Sequence, residues 1–179
     1  LCLLNPHRSP TVSRADLEPL LRDSFGVREI LWLGEGIEGD DTDGHIDDLT
    51  RFVAPNTVVT VVEPNLADPN HAPLAANRRL LDTLSVGGRP LEVVELPMPA
   101  PQYLEDQRLP ASYANFYIAN GAVLVPVFGC PADDAACGIL RECFPGRRVV
   151  PVDCRVLIAG LGALHCLTQQ VPAAPAPAS

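Results

Sequence analysis

Two polar segments, far apart in the chain, carry side chains able to do covalent chemistry. Residues 34–48 pack seven acids and one His, His45, into a Gly-rich loop after an extended run. Residues 160–170 place Cys166 beside His165, Thr168, Gln169 and Gln170 at the end of a Gly-containing turn. A Cys nucleophile attacks as the thiolate and needs a second group to move protons, usually a His distant in sequence. Among His7, His45, His71 and His165, His45 has the richest polar setting. Cys166 and His45 therefore form the candidate nucleophile and acid/base pair, and imidazole suits both directions of proton transfer near neutral pH.

Each assignment has a plainer competitor. The acidic loop also reads as a solvated segment with an incidental His. A calcium loop fits poorly: setting Gly44 on the glycine of that motif puts Gly39 at the first ligand position and Thr50 where a bidentate Glu belongs. A lone Cys is usually core, and Cys2, Cys137 and Cys143 sit in apolar periodic patterns that agree with this. Cys166 lies among polar groups instead.

Composition narrows the partners. The chain carries a net charge of −9, and its 13 basic residues are all Arg. A nucleic-acid partner is disfavoured because no basic patch is available to neutralise phosphates, and a small cationic molecule is the better expectation. The longest apolar stretches, residues 122–128 and 156–164, are too short to span a bilayer, so the sequence reads as soluble and cytoplasmic with no membrane partner. Six Cys without paired C-x-x-C spacing suggest neither a zinc site nor a disulfide scaffold. The chain opens on an apolar run without Met, so its true N-terminus is expected upstream. Residues 172–179 alternate Pro and Ala and are expected to be a disordered tail after one domain over residues 1–171.

The elements that must position these residues form a repeat. The pattern predicts a helix over 14–25, capped by Ser13 with Asp16, then an extended strand over 29–33. A strand at 57–62, a helix at 74–84 and a strand at 91–96 follow. A third pass gives a strand at 113–119, an Asn120-Gly121 hairpin turn, a strand at 122–127, a helix at 132–143 and a strand at 148–152. A last strand is expected over 164–168. The spacing of about 60 residues implies an α/β fold of repeated β-β-α-β modules.

Four ordered motifs carry a resemblance. They are Trp32-Leu33 with Gly39-Asp40-Asp41-Thr42-Asp43-Gly44-His45-Ile46-Asp47, then Ala111-Ser112-Tyr113-Ala114-Asn115-Phe116-Tyr117-Ile118-Ala119-Asn120-Gly121, then Phe144-Pro145-Gly146-Arg147, and His165-Cys166-Leu167-Thr168-Gln169-Gln170. Together, from about Leu1 to Pro172, the sequence resembles the C-terminal half of the agmatine deiminase family. The opening Leu3-Leu4-Asn5-Pro6-x-Arg8-x-Pro10 is similar to a mid-chain segment of that family. The resemblance implies the five-module α/β propeller of guanidine-modifying enzymes, with about half the ring present. It also implies hydrolysis of agmatine to N-carbamoylputrescine and ammonia, a step towards putrescine, without metal or organic cofactor.

Carried over position by position, the resemblance implies that Cys166 attacks the guanidinium carbon and forms a covalent thiouronium, while His45 serves as acid and then base. Asp41 is the matching position for a carboxylate that pairs with guanidinium N–H groups, a role that suits planar forked donors. Asp40 and Asp47 are further candidates for holding the substrate, with loop capping, shared with Asp43, as the competing reading. The chain departs from the family at Leu161 and Ala163, where glycines and an Asn are common, and at Cys130, where Asp is usual. A second guanidinium-binding acid and an aromatic wall come from the N-terminal half of family members, so association with that half or with another copy is expected. A peptidylarginine deiminase acting on protein-bound arginine and a non-catalytic remnant are the alternatives.

Overall fold

The computed structural model describes residues 2–171 and residue 173. Apart from residue 173, the expected Pro/Ala tail lies outside the described residues. Helix α1 (Arg14–Phe25) forms where the pattern places it. The Asp16 backbone N–H donates to Ser13 Oγ, and the Ser13 N–H returns to the Asp16 carboxylate at 2.9 Å. This reciprocal cap satisfies two donors that the first turn leaves unpaired. Trp32 Nε1 donates to Glu18 of α1 at 3.0 Å and so ties the helix to the extended segment that follows.

A single turn at Ile46–Asp48 leads into β1 (Thr50–Ala54), β2 (Thr57–Val62) and α2 (His71–Leu81). A small hairpin of β3 (Ser85–Val86) and β4 (Arg89–Pro90) precedes β5 (Glu92–Pro97). A second hairpin, β6 (Gln102–Leu104) with β7 (Gln107–Leu109), is followed by β8 (Tyr117–Ile118), β9 (Ala122–Val127), α3 (Ala132–Cys143) and β10 (Arg148–Asp153).

The two three-stranded sheets have one plan. In the first, β1 runs antiparallel to β2 and β2 parallel to β5, in the order β1-β2-β5. In the second, β8 runs antiparallel to β9 and β9 parallel to β10. Each parallel pair needs a crossover, and α2 and α3 supply it. The chain is thus α/β with mixed sheets, built from two strand–strand–helix–strand units, and α2 and α3 open at His71 and Ala132, close to the spacing of about 60 residues in the pattern. No sheet closes on itself among the described residues. One apolar cluster joins the units, with Val61 and Leu96 from the first sheet packed in the same core as Val123 from the second sheet and Leu140 and Phe144 from α3 and its end.

Several expectations are corrected. Residues 29–33 form no strand and join no sheet; the segment is held at its ends by single bonds, the Glu29 carboxylate accepting from the Gly87 N–H and the following Gly34 N–H donating to Asn77 Oδ1. Helix α2 starts and ends three residues earlier than expected, and Thr83 N–H bonds back to Leu80 O as the chain leaves it. Of residues 113–119 only Tyr117–Ile118 is strand, since the preceding residues form a buried turn. Residues 164–168 form a turn instead of a strand, closed by Thr168 N–H and Oγ1 bonding to His165 O.

The acidic loop is fastened to α2 by two buried amides. Asn77 accepts from Gly34 N–H at 2.7 Å and donates to Glu35 O at 2.8 Å, while Asn70 Oδ1 accepts from Glu38 N–H at 2.7 Å. Removing the Asn77 amide deletes both of its hydrogen bonds to the loop backbone. Asn77→Ala is therefore expected to destabilise the chain by about 2–3 kcal/mol in urea unfolding.

Candidate active site

The acidic loop doubles back on itself. A Cβ on Gly36 would stand 2.5 Å from the Gly44 Cα, and Gly44 holds φ at +96°, so both positions require glycine. Asp40 ties the returning chain: Oδ2 accepts from Gly44 N–H at 3.1 Å and His45 N–H at 3.0 Å, while Oδ1 accepts from the N–H and hydroxyl of Thr42. His45 then stands in extended conformation before the Ile46–Asp48 turn. It lines a cavity of about 540 Å³ with Arg8, Trp32, Asp47 and His165.

The Cys segment is fixed from the other side. After the short helix Leu157–Gly160, Leu161 adopts a left-handed conformation, φ 62°, at a cost of about 1–2 kcal/mol for an L side chain. Gly162 passes so close that a Cβ there would lie 2.8 Å from the Cys166 Cβ. The turn brings His165 and Cys166 onto Asn115, whose Oδ1 accepts from their backbone N–H groups at 3.0 and 3.4 Å.

The two segments meet at Asp47. Its Oδ2 lies 2.7 Å from His165 Nδ1, 3.4 Å from Cys166 Sγ and 3.1 Å from Asn115 Nδ2. Burial pulls the Asp47 pKa up, but the hydrogen bonds from His165 and Cys166 outweigh it and hold the carboxyl below its ordinary value. With Asp47 ionised, His165 carries its proton on Nδ1. Asp48 behaves oppositely. Burial, with the charges of Asp47 and Asp40, drives its pKa up to about 8 against the Asn115 hydrogen bond and the Arg51 charge. Partial burial likewise pushes the Cys166 thiol up, with Asp47 and Asp48 adding to the shift and the Asn115 N–H opposing it. Arg51 stacks over the Phe116 ring at 4.8 Å and donates to Ala114 O and Phe116 O.

Of the residues singled out in the sequence, Cys166 and Asp47 are in contact, and His45 lines the cavity that Asp47 shares. Asp40 engages both oxygens inside its own loop. Asp41 is exposed and makes no hydrogen bond or ion pair among the described residues. Asn115, Asp48, Arg51 and His165 complete the cluster without having been selected. His165 had been passed over for His45, and Asn115 stood inside a motif that carried the resemblance. At the third departure, Cys130 Sγ lies 3.0 Å from the Tyr113 hydroxyl, and Asp133 supplies the carboxylate there, accepting from that hydroxyl at 2.5 Å and from the Cys130 N–H at 3.1 Å. Among the described residues no His, Cys, Asp and Glu side chains are grouped to hold a metal ion, and no helix is long and apolar enough to cross a membrane.

A mixed α/β scaffold thus sets two imidazoles and a carboxylate on one cavity, with the Cys166 thiol against that carboxylate. Over residues 1–172 the sequence matches the Porphyromonas-type peptidyl-arginine deiminase family, and the chain belongs to that family. It is 37% identical over 191 residues to the agmatine deiminase of Pseudomonas fluorescens, covering 96% of this chain and 52% of the relative. Among solved structures, agmatine deiminase of Enterococcus faecalis superposes with a TM-score of 0.90 at 31% identity, over 96% of this chain and 52% of that one. A Cys-to-Ser variant of the C. jejuni agmatine deiminase with substrate bound gives a TM-score of 0.86 at 35% identity, over 92% and 48%. The chain spans about half the length of the curated relatives it matches.

The Asp48 shift has a consequence for stability. Its folded pKa of about 8 lies above the ordinary 3.8 of the unfolded chain, so its contribution is fully present below about pH 4 and is lost as pH rises to about 8. Thermal unfolding between pH 5 and 9 is expected to show stability falling through this window. Asp48→Asn, which keeps an acceptor for Asn115 and cannot ionise, is expected to flatten that slope.

Proposed function

We propose that this chain is the catalytic-thiol portion of an agmatine deiminase. It would hydrolyse the guanidinium of agmatine to N-carbamoylputrescine and ammonia, in the cytoplasm and on the way to putrescine, without metal or organic cofactor. The two β-β-α-β units are taken as modules of the five-module propeller of guanidine-modifying enzymes, completed by the other half of the fold. The observation that carries this reading is the 3.4 Å approach of Cys166 Sγ to the Asp47 carboxylate, beside the cavity that His45 lines.

Asp47 accepts from the guanidinium N–H groups and holds the central carbon over the sulfur. The substrate cation favours ionisation of Cys166, whose proton passes to His45. The S–C bond forms, giving a neutral tetrahedral adduct. The C–N bond then breaks, ammonia leaves with the proton from the His45 imidazolium, and a covalent thiouronium cation remains. Water next loses a proton to His45 as its oxygen bonds to the carbon. Collapse forms the ureido carbonyl, releases its hydroxyl proton to solvent and returns the S–C electron pair to Cys166. The C. jejuni relative holds substrate with one Cys replaced by Ser, so in that protein the replaced thiol is not required for binding. Asp40 serves the loop, and Asp41 remains an outer acid that can attract cations to the cavity mouth.

Protein-bound arginine is the second reading, favoured by the name of the matching family. The chain, alone and mixed with the N-terminal half of a full-length relative, should be assayed with agmatine, free arginine and an arginine peptide for ureido product and ammonia. Agmatine turnover is expected, abolished by Cys166→Ala and His45→Ala and lowered about 100-fold, or about 2.7 kcal/mol, by Asp47→Asn. Preference for the peptide would favour the second reading. Silence on all three substrates in both preparations would leave a non-catalytic remnant.

A further inference from the structure

Asn115 has no part in the reaction just described, yet it is fully buried and its amide reaches five partners. Oδ1 fixes the backbone of His165 and Cys166. Nδ2 lies 3.1 Å from Cys166 Sγ, 3.1 Å from Asp47 Oδ2 and 2.9 Å from Asp48 Oδ1. An amide nitrogen carries two hydrogens, so these three acceptors compete.

We propose that Asn115 is the positioning residue of the Cys166 thiol: it anchors the Cys backbone through its oxygen and commits an N–H, otherwise shared with the two carboxyl groups, to the sulfur when the thiol ionises. This rests on the reading of Cys166 as nucleophile. In the thiol state S–H points to Asp47 Oδ2, and the two amide hydrogens are shared among the Asp47 and Asp48 carboxyl groups and the sulfur. Once the proton leaves, the sulfur has nothing to donate and faces the Asp47 carboxylate at 3.4 Å. The Asn115 N–H then offsets that repulsion, since hydrogen bonds to an ionised acceptor are about twice as strong as neutral ones.

The charged and titratable groups around this sulfur are Asp47 and Asp48 from the turn, Arg51 from β1 and His165 from its own segment, with Asp40 acting on Asp48. Arg51 holds the carbonyls on both sides of Asn115, Ala114 O at 3.2 Å and Phe116 O at 3.0 Å, and so fixes the amide from behind. A longer side chain has no room in a fully buried site, so Gln does not replace Asn here.

The test follows iodoacetamide alkylation of Cys166 against pH by peptide mass spectrometry, in the wild-type chain and in folded Asn115→Ala and Asn115→Ser. Asn115→Ala is expected to raise the apparent pKa by about one unit, slowing alkylation at neutral pH about tenfold while the high-pH plateau stays unchanged. Asn115→Ser, which keeps a hydroxyl donor, should recover part of the shift. An unchanged pKa in a folded variant would overturn the proposal. If neither variant folds, NMR of the ¹⁵N-labelled wild-type chain decides. The Asn115 side-chain amide protons should move downfield over the pH range in which Cys166 becomes alkylable, and should not do so in Cys166→Ala. An amide indifferent to thiol ionisation would equally defeat the idea. Neither readout uses a substrate, so failure of turnover with these shifts intact sinks the deiminase reading alone.

Discussion

Two adjacent carboxyl groups, Asp47 and Asp48, share one buried amide at a place with little water, and like charges so close cannot both ionise cheaply. Their surroundings separate them. Asp47 faces His165 and Cys166, which donate to it, and so it keeps its charge. Asp48 sits deeper, between Asp47 and Asn115, and its Oδ1 accepts from the amide. A neutral acid beside an ionised one is an arrangement that divides roles between chemically identical groups. Here it leaves the ionised Asp47 carboxylate on the cavity wall.

The fold serves this constraint by bringing three distant segments to one point. Arg51 belongs to β1, Asn115 to the buried turn before β8, and Cys166 to the turn beyond β10. Both strand–strand–helix–strand units therefore contribute, and the apolar cluster shared by their sheets keeps the points in register. Around this centre the loops are shaped by backbone close approach. Gly36 touches Gly44 and Gly162 touches Cys166, so the His45 and Cys166 loops tolerate little added volume. Asp43 in the His45 loop and Leu161 in the Cys166 loop are L residues in left-handed positions, and the Leu161 side chain also packs against the core, so apolar contact offsets part of its backbone cost.

The scaffold was legible where periodicity is strong. Helices α1 and α3 and strands β2, β9 and β10 follow their apolar patterns to within a residue or so, and the repeat spacing revealed the unit. Strand β1 was missed because five residues interrupted by Arg51 give too short a pattern, and residues 29–33 misled because an apolar run does not reveal whether a partner strand exists. Within the site, Cys166 stood out by its polar neighbours. The carboxylate beside it, Asp47, was one of three acids selected, since a loop has no period from which to choose among Asp40, Asp41 and Asp47. Asn115 was hidden for a related reason. Its importance lies in the number of partners it serves across the fold, and local sequence does not carry that information.

The raised thiol of Cys166 bears on selectivity under the proposed reaction. Partial burial and two neighbouring acids keep the sulfur protonated in the empty site, so the chain does not hold a standing thiolate. A guanidinium paired to Asp47 reverses the local field, because it covers the charge that opposes ionisation and adds one that favours it. The nucleophile is then made by the molecule it attacks. A neutral urea, which is also the chemical form of the product, lacks the charge to do this, so the same electrostatics that activate the thiol for substrate would leave it quiescent towards product. Asn115 fits this scheme as a donor already 3.1 Å from the sulfur whose bond strengthens on ionisation, which places its effect on the activated state of the site more than on binding.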